Sequence, residues 1–299
     1  MAVVALRHAL LIVNPASRRG ATVLASATRA FARAGVHCDI HQTTGVGDAE
    51  RIARTEGARY DAVFALGGDG TVMEVVQALR DVATPIGVLP GGTGNLVARA
   101  LGIPMSVERA VGALVAGTIV EIDVGVLEGG RVFAFAAGVG IDAAMVAGTS
   151  AASKRRFGVL AYVATAVRAA LAREQFDLRA TVDGVVHHYR ATSAMVANFG
   201  TVLGGLIRLG PGIKENDGML DLCVFSPASA RDVFRVGCRL LRQDFRRDPA
   251  MHFHQGRTLV LETEQGRAMQ ADGELLPGVT LHATVAPRAA RMLVPPTLA

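Results

Sequence analysis

The sequence predicts two architectures in series, a doubly wound α/β domain with a parallel sheet and then an antiparallel β domain, with the change near residue 122. Two observations predict this. Up to about Glu121, short apolar runs alternate with helical stretches, and each run ends at a loop rich in Gly, Pro, Asn or Thr. That is how strand C-termini look in open parallel sheets, where ligands bind. From Ile122 onward, strand-like runs follow one another through short turns containing Gly and Asp, the pattern of hairpins. The reading divides the chain into residues 1–122 and 123–289, with residues 290–299 returning to the first domain.

In the first half, Leu10 to Val13 reads as a buried strand ending at Asn14-Pro15. A polar loop leads to a helix from Thr22 to Ala34 that Gly35 closes. A strand over Val36 to His41 enters Thr43-Thr44-Gly45-Val46-Gly47-Asp48, and a helix follows from Ala49 to Glu56. The apolar run Ala62 to Leu66 then stops at Gly67-Gly68-Asp69-Gly70-Thr71, after which Val72, Val75, Val76 and Leu79 recur at helical spacing. Thr71 and Glu74 have capping-box spacing, so Thr71 is expected to cap this helix. The glycines before it leave backbone N–H groups free to face an anion. Asp69 is the one acid in that cradle, and a carboxylate beside a phosphate needs a cation between them or a proton to handle. A last strand, Pro85 to Leu89, ends at Pro90-Gly91-Gly92-Thr93-Gly94-Asn95, with Asn95 expected to cap the helix from Leu96.

The second half offers Asp123 to Leu127 and Val132 to Ala136 across a turn, then Arg179 to Val182 and Val185 to Arg190 across Asp183-Gly184. Further strands are expected at Ser193 to Asn198, Leu220 to Phe225, Thr258 to Glu262 and Gly278 to Val285, together a sandwich. Helices are expected at Phe157 to Arg173 and Ala228 to Arg239. The first of these follows the basic entry Lys154-Arg155-Arg156, and its apolar run is broken by Arg168, so it reads as a core or interfacial helix and not a membrane span.

Composition narrows the classes. Hydrophobic residues make up 51% of the 299 and charged residues 19%, too apolar for disorder, yet no run reaches the roughly 18 apolar residues of a spanning helix. The N-terminal patch lacks a basic leader and a cleavage site, so a cytoplasmic protein is expected. Cys38, Cys223 and Cys238 form no CxxC pair and read as core residues, not as a zinc site or a disulfide framework. A net charge of +5 points to an anionic partner, while 5% aromatic residues and no Trp argue against single-stranded nucleic acid.

Seven segments occur in an order that resembles the diacylglycerol kinase catalytic-domain family, soluble bacterial lipid kinases related to sphingosine kinases. They are Asn14-Pro15, the Thr43 to Ala49 loop, Gly67 to Thr71, Pro90 to Asn95, Ala137 to Asp142, Asn216 to Asp221, and Asp272-Gly273-Glu274. They span nearly the whole chain. The GGDGT loop alone is less specific, since NAD kinases and phosphofructokinases carry similar ones. The resemblance implies an NAD-kinase-like first domain, a β-sandwich second domain and an active site in the cleft between them. It implies ATP bound by Asn14, Thr43, Gly67, Gly68, Asp69, Gly70, Thr71, Gly92, Thr93 and Asn95, with Asp69 linked to Mg-nucleotide and catalysis. It also implies a structural Mg²⁺ loop at Asp217, with the main-chain oxygens of Lys214 and Met219.

Glu274 is the candidate general base, because an alcohol acceptor must lose its proton as it attacks and the Asp272-Gly273 turn can present a side chain at an edge. The implied reaction is transfer of the γ-phosphoryl group of ATP to a lipid hydroxyl, by default that of diacylglycerol, giving phosphatidic acid. Peripheral attachment to an anionic membrane, and a homodimer, accompany that reading. Its rivals are a kinase of a soluble acceptor of the NAD-kinase type and a silent module that senses nucleotide or lipid. Two stretches depart from the family pattern: Leu96-Val97-Ala98-Arg99 after Asn95, where many bacterial members have an acid, and Phe135-Ala136, where an asparagine is common.

Overall fold

A computed structural model describes residues 6–17, 20–140, 175–202, 207–263 and 267–296. The Phe157 to Arg173 helix, its basic entry, and Ile141 and Asp142 lie outside the described residues. The chain divides into two compact units, Met1–Ile122 with Arg288–Ala299, and Asp123–Pro287.

The first unit runs β1 (His8–Val13), α1 (Gly20–Arg33), β2 (His37–Gln42), α2 (Asp48–Glu56), β3 (Ala62–Gly67), α3 (Asp69–Leu79), β4 (Ile86–Pro90), α4 (Leu96–Ala100) and α5 (Val107–Val115). Its strands lie in the order β2-β1-β3-β4, all parallel. The last strand of the chain, Thr280–Val294, ends beside β4 with Met292 paired to Ile86, also parallel. Order reverses between β1 and β3, the crossover where open sheets leave a crevice at their strand C-termini. Every residue of β3 is buried, as is nearly all of β1, which is why these strands read as unbroken apolar runs. The helices pack in pairs, α1 with α5 and α2 with α3. Gly35, at φ +72, ends α1 as the sequence expects, and the Val36 N–H reaches back to the Phe31 carbonyl.

The second unit is formed by β5 (Thr118–Leu127), which enters from the first, β6 (Val132–Phe133), β7 (Ala136–Gly140), β8 (Phe176–Val182), β9 (Val185–Ala191), β10 (Ser193–Ala197), the short ribbon β11 (Thr201–Val202) and β12 (Ile207–Arg208), β13 (Leu220–Phe225), α6 (Ala230–Leu241), β14 (Met251–Gly256), β15 (Thr258–Thr263), β16 (Met269–Ala271), β17 (Glu274–Leu276) and β18 (Thr280–Val294). One antiparallel layer runs β18-β15-β8-β9, and the other runs β14-β13-β10-β7-β16-β17. Leu178, Ala180 and Leu261 of the first layer share one core with Val139, Val196 and Leu222 of the second, which makes the unit a β-sandwich.

Two of the Asp-Gly pairs, Asp183-Gly184 and Asp272-Gly273, make the hairpin turns that the sequence signals. Asp183 and Gly184 stand at φ 47 and 86, and Asp272 and Gly273 at φ 46 and 84, left-handed at both central positions as a type I′ turn demands. One expected strand is split: Val132 to Ala136 pairs only at its ends. The Asp272 carboxylate accepts the N–H groups of Ala134, Phe135 and Ala136 at 2.7, 2.9 and 2.9 Å, so those donors leave the ladder. Strands β14 and β16 were not legible in the sequence, because the polar residues of His252-Phe253-His254-Gln255 and the shortness of Met269–Ala271 hide the alternation.

Two glycines test this packing in opposite senses. A Cβ on Gly87 of β4 would stand 2.3 Å from the ring of Phe64, a fully buried residue, whereas Gly112 of α5 has nothing within 4 Å. Gly87→Ala should therefore destabilise by about 1–3 kcal/mol through overpacking. Gly112→Ala should stabilise by roughly 0.5–1 kcal/mol through helix propensity. Urea melts of the two variants check both signs.

Candidate active site

Four strand C-termini of the first unit carry loops, and side chains from one loop fasten the next. Asn14, after β1, donates from Nδ2 to the Thr71 hydroxyl at 3.2 Å while its Oδ1 accepts from the Ala16 N–H. Thr43, after β2, is buried and donates its N–H to the Val13 carbonyl. Beside it the Asp48 carboxylate accepts both the N–H and the hydroxyl of Thr44, which with Arg51 hold it well below the usual carboxylate range.

The capping box expected at Thr71 and Glu74 is not formed. Helix α3 begins at Asp69, directly after β3, with Gly68 at the cap and Thr71 already inside the first turn. The glycines allow that early start, and the two side chains are released for other work. Glu74 accepts the N–H groups of Gly47 and Ala49, both at 3.0 Å, and so holds the entry of α2. Gly68 has no side chain to accept a bond and makes no side-chain cap; the Asp69 N–H turns to its own carboxylate, and an anion at this terminus would meet the N–H groups that follow it, the arrangement that binds phosphate.

Asp69 sits at that opening, yet its carboxylate points to the next loop. Its Oδ1 accepts the Leu96 N–H at 2.6 Å, so Asp69 does for α4 what Asn95 was expected to do. Asn95 does occupy the cap position, but at φ 48 its side chain turns back on its own loop and makes no cap bond. There its Oδ1 accepts the Gly92 N–H and its Nδ2 donates to the Gly92 carbonyl. Surrounding protein desolvates Asp69 and raises its carboxyl above the usual range, opposed by the N–H groups of Leu96, Val97 and Asn95. The loops meet backbone to backbone: a Cβ on Gly92 would lie 2.5 Å from the Gly68 Cα, and one on Gly94 2.8 Å from Asp69 Oδ2. Thr93, between those glycines, is half-buried. The structure thus brings together Asn14, Gly67, Gly68, Asp69, Gly70, Thr71, Gly92, Thr93 and Asn95, with Thr43 one strand away.

In the second unit three acids gather around the Asp217 turn. Asp217 Oδ1 accepts the Met219 N–H at 3.1 Å and Oδ2 accepts from Gln255 at 3.0 Å. Asp123, fully buried, accepts the Gly218 N–H at 2.6 Å and donates its own N–H to the Glu215 carbonyl. Asp221, 9% exposed, has an Oδ2 with no hydrogen-bond partner among the described residues. Burial, with the charge of Asp217 adding to it, pushes the Asp221 carboxyl up to about 7. An orphaned carboxylate oxygen next to an acidic turn fits a cation whose remaining ligands are water and main-chain oxygens, such as those assigned to Lys214 and Met219 on either side of the turn. Sequence reasoning missed Asp123 and Asp221. The available signal was an acid inside each apolar strand, Ile122-Asp123-Val124 and Leu220-Asp221-Leu222.

Glu274 opens edge strand β17 directly after the Asp272-Gly273 turn, and its carboxylate is exposed and paired with Arg131 at 2.5 Å. Asp272 anchors that turn through the three N–H groups already described. Asn198 closes the same region: fully buried, it donates from Nδ2 to the carbonyls of Asp123 and Ala134, each at 2.8 Å.

A parallel sheet with an uncapped helix N-terminus behind a glycine turn, one acid at that turn, and a β-sandwich unit define the NAD-kinase-like pair of domains. The model of the diacylglycerol kinase catalytic domain matches residues 8–127, and that of the YegS C-terminal NAD kinase beta sandwich-like domain matches residues 136–294. A Bacillus subtilis protein named diacylglycerol kinase is 30% identical over 282 residues, covering 91% of this chain and 92% of its own. A protein of the same name from Staphylococcus saprophyticus is 25% identical over 284 residues, covering 92% of each. A crystal structure described as a "putative diacylglycerol kinase" from Bacillus anthracis superposes with a TM-score of 0.83 at 25% identity, covering 100% of this chain and 98% of that one. The chain belongs to the diacylglycerol kinase catalytic-domain family of bacterial lipid kinases.

The close approach of the two glycine loops makes Gly92→Ala a test of the site's geometry. Its methyl group meets backbone, which cannot rotate away, so the variant should lose about 1–3 kcal/mol of stability. Gly45→Ala is the control, since a Cβ there has nothing within 4 Å. Thermal melts should separate the two.

Proposed function

We propose that this chain is an ATP- and Mg²⁺-dependent kinase that moves the γ-phosphoryl group onto a lipid hydroxyl, with diacylglycerol the acceptor and phosphatidic acid the product. The observation that carries the donor side is the opening of α3: N–H groups left without a capping side chain, and Asp69 beside them on a glycine turn. Those N–H groups, with the Gly92 to Asn95 loop, hold the phosphates. Asn14 and Thr71 fix the loop from behind, and Thr43 lines the neighbouring strand end. Bound Mg²⁺ would neutralise phosphate charge, and Asp69 is the residue that would hold it with the nucleotide.

In the second unit, Glu274 receives the proton that the attacking hydroxyl gives up. Arg131 is its ion-pair partner, a fixed positive charge beside the ionised carboxylate that can accept the proton. The bond formed joins the acceptor oxygen to phosphorus, the bond broken is that to the β–γ bridging oxygen, and ADP leaves with the bonding pair. The Asp217 turn, with Asp221 and the oxygens of Lys214 and Met219, is proposed as a separate structural Mg²⁺ site. Incubation with radiolabelled ATP and a panel of lipids plus NAD, followed by phase extraction, tests the reaction. Label in the organic phase supports the lipid reading, label in NADP supports a soluble acceptor, and label in neither supports a silent sensor.

The base assignment predicts that Glu274→Gln lowers kcat by about a hundredfold to ten-thousandfold while nucleotide Kd and melting temperature hold. A normal kcat with a lowered melting temperature would remove Glu274 from the chemistry. The metal assignment predicts that Mg²⁺ raises the melting temperature over that in EDTA by roughly 3–6 °C. Asp217→Asn and Asp221→Asn should each abolish that rise, and its absence from the wild type would contradict the site.

A further inference from the structure

Helix α6 has two apolar faces where packing requires one. Its inner face is settled: Val236 and Leu240 pack on Phe225, Ala250, Met251 and Phe253. Its start is fixed by a capping box, in which the Ser229 hydroxyl accepts the Asp232 N–H and Asp232 accepts the Ser229 N–H. Two arginines lock it from the side, Arg235 to Asp248 at 3.0 Å and Arg239 to Asp248 at 2.7 Å, with Asp248 itself buried. The helix is therefore held without help from its outer face.

That outer face carries Phe234, 75% exposed, and Leu241, 54% exposed. They are two helical turns apart and so lie on one line along the surface. Scattered exposed apolar side chains need no explanation, but an aligned Phe and Leu on one helix form a stripe. Arg231 precedes Phe234 by one turn and Arg242 follows Leu241 directly, and both are exposed. Among the described residues neither has an acidic partner, unlike Arg235, Arg239 and Arg246. Exposed Arg247 extends the same basic end.

We propose that this face of α6 lies in the surface of an anionic bilayer, with Phe234 and Leu241 entering the acyl boundary and Arg231 and Arg242 on lipid headgroups. Charge decides between occupants. A second copy would bring the same unpaired cations and the same net charge of +5 against them, whereas anionic lipid complements both the stripe and its rim. Arginine stems can lie along the acyl boundary while their heads stay among phosphates, so cations beside the stripe do not oppose insertion. This rests on the reading that the acceptor is a membrane lipid and names the surface that would meet the membrane; it does not use the residues proposed for turnover.

The test measures vesicle partition apart from catalysis, on the full chain without nucleotide. Flotation with vesicles of phosphatidylglycerol and phosphatidylcholine, and of phosphatidylcholine alone, reads binding to each surface. The wild type should float with the anionic vesicles at low salt, lose binding as salt rises, and stay behind with phosphatidylcholine alone. Phe234→Ser with Leu241→Ser should cut partition by at least about tenfold. Arg231→Ala and Arg242→Ala should each cut it by about fivefold. An unchanged melting temperature shows that the variants fold, and unchanged activity on a short-chain, water-soluble diacylglycerol shows that the site is intact. Wild type that fails to float, or a double variant that floats as well, overturns the proposal. So does light scattering that finds a wild-type dimer lost in the double variant, because a second copy would then cover the stripe. Phosphorylation of a soluble acceptor only, with flotation retained, would overturn the lipid-acceptor reading and leave the docking face standing.

Discussion

The hydrogen bond from the Leu96 N–H to Asp69 Oδ1, 2.6 Å long, is the constraint on which the rest of the nucleotide side depends. It ties the loop after β3 to the helix after β4, and it works only because Gly68 and Gly92 let the two backbones touch. A helix N-terminus prefers an acidic neighbour, so the charge is favoured there even as burial opposes it. The acid therefore sits where burial and backbone donors oppose one another, in the first turn of a helix that no side chain caps. A carboxylate at that place repels a phosphate once it ionises, which is the physical reason for the cation proposed between them.

The same device recurs through the molecule: an acid on one loop satisfies the backbone of another segment. Glu74 holds the entry of α2, Asp183 accepts the N–H groups of Arg257 and Thr258, and Asp272 takes three consecutive donors. Each joins residues far apart in sequence, so the loops are positioned by the fold and not by their own turns. Asp221 differs, being a buried acid with one oxygen unmatched among the described residues.

The order of elements in the parallel half was legible because buried strands and amphipathic helices have different periods, and because glycine loops punctuate them. The hairpin turns at Asp183-Gly184 and Asp272-Gly273 were legible for a similarly local reason. Capping was misjudged twice: α3 starts two residues before Thr71, with Gly68 at its cap, and at α4 the acceptor comes from Asp69, distant in sequence, instead of Asn95. Spacing sees only neighbours along the chain. Asp123 and Asp221 were missed because an acid inside an apolar strand looks like a solvent-facing position until the partner strand covers it. The outer stripe of α6 was hidden because Phe234 and Leu241 count as core in any periodicity. Only exposure distinguishes them.

The central claim is that Asp69 has two separable roles, a structural one through its acceptor oxygen and a chemical one through its charge. Turnover and melting temperature of Asp69→Asn and Asp69→Ala, measured side by side, address it most directly. Asparagine keeps an oxygen for the Leu96 N–H and loses the charge. The account predicts that both variants lose turnover by at least about a hundredfold, that Asp69→Asn melts close to the wild type, and that Asp69→Ala melts lower by the stability of a lost cap, about 1 kcal/mol. Turnover near the wild-type level in Asp69→Asn would contradict the account.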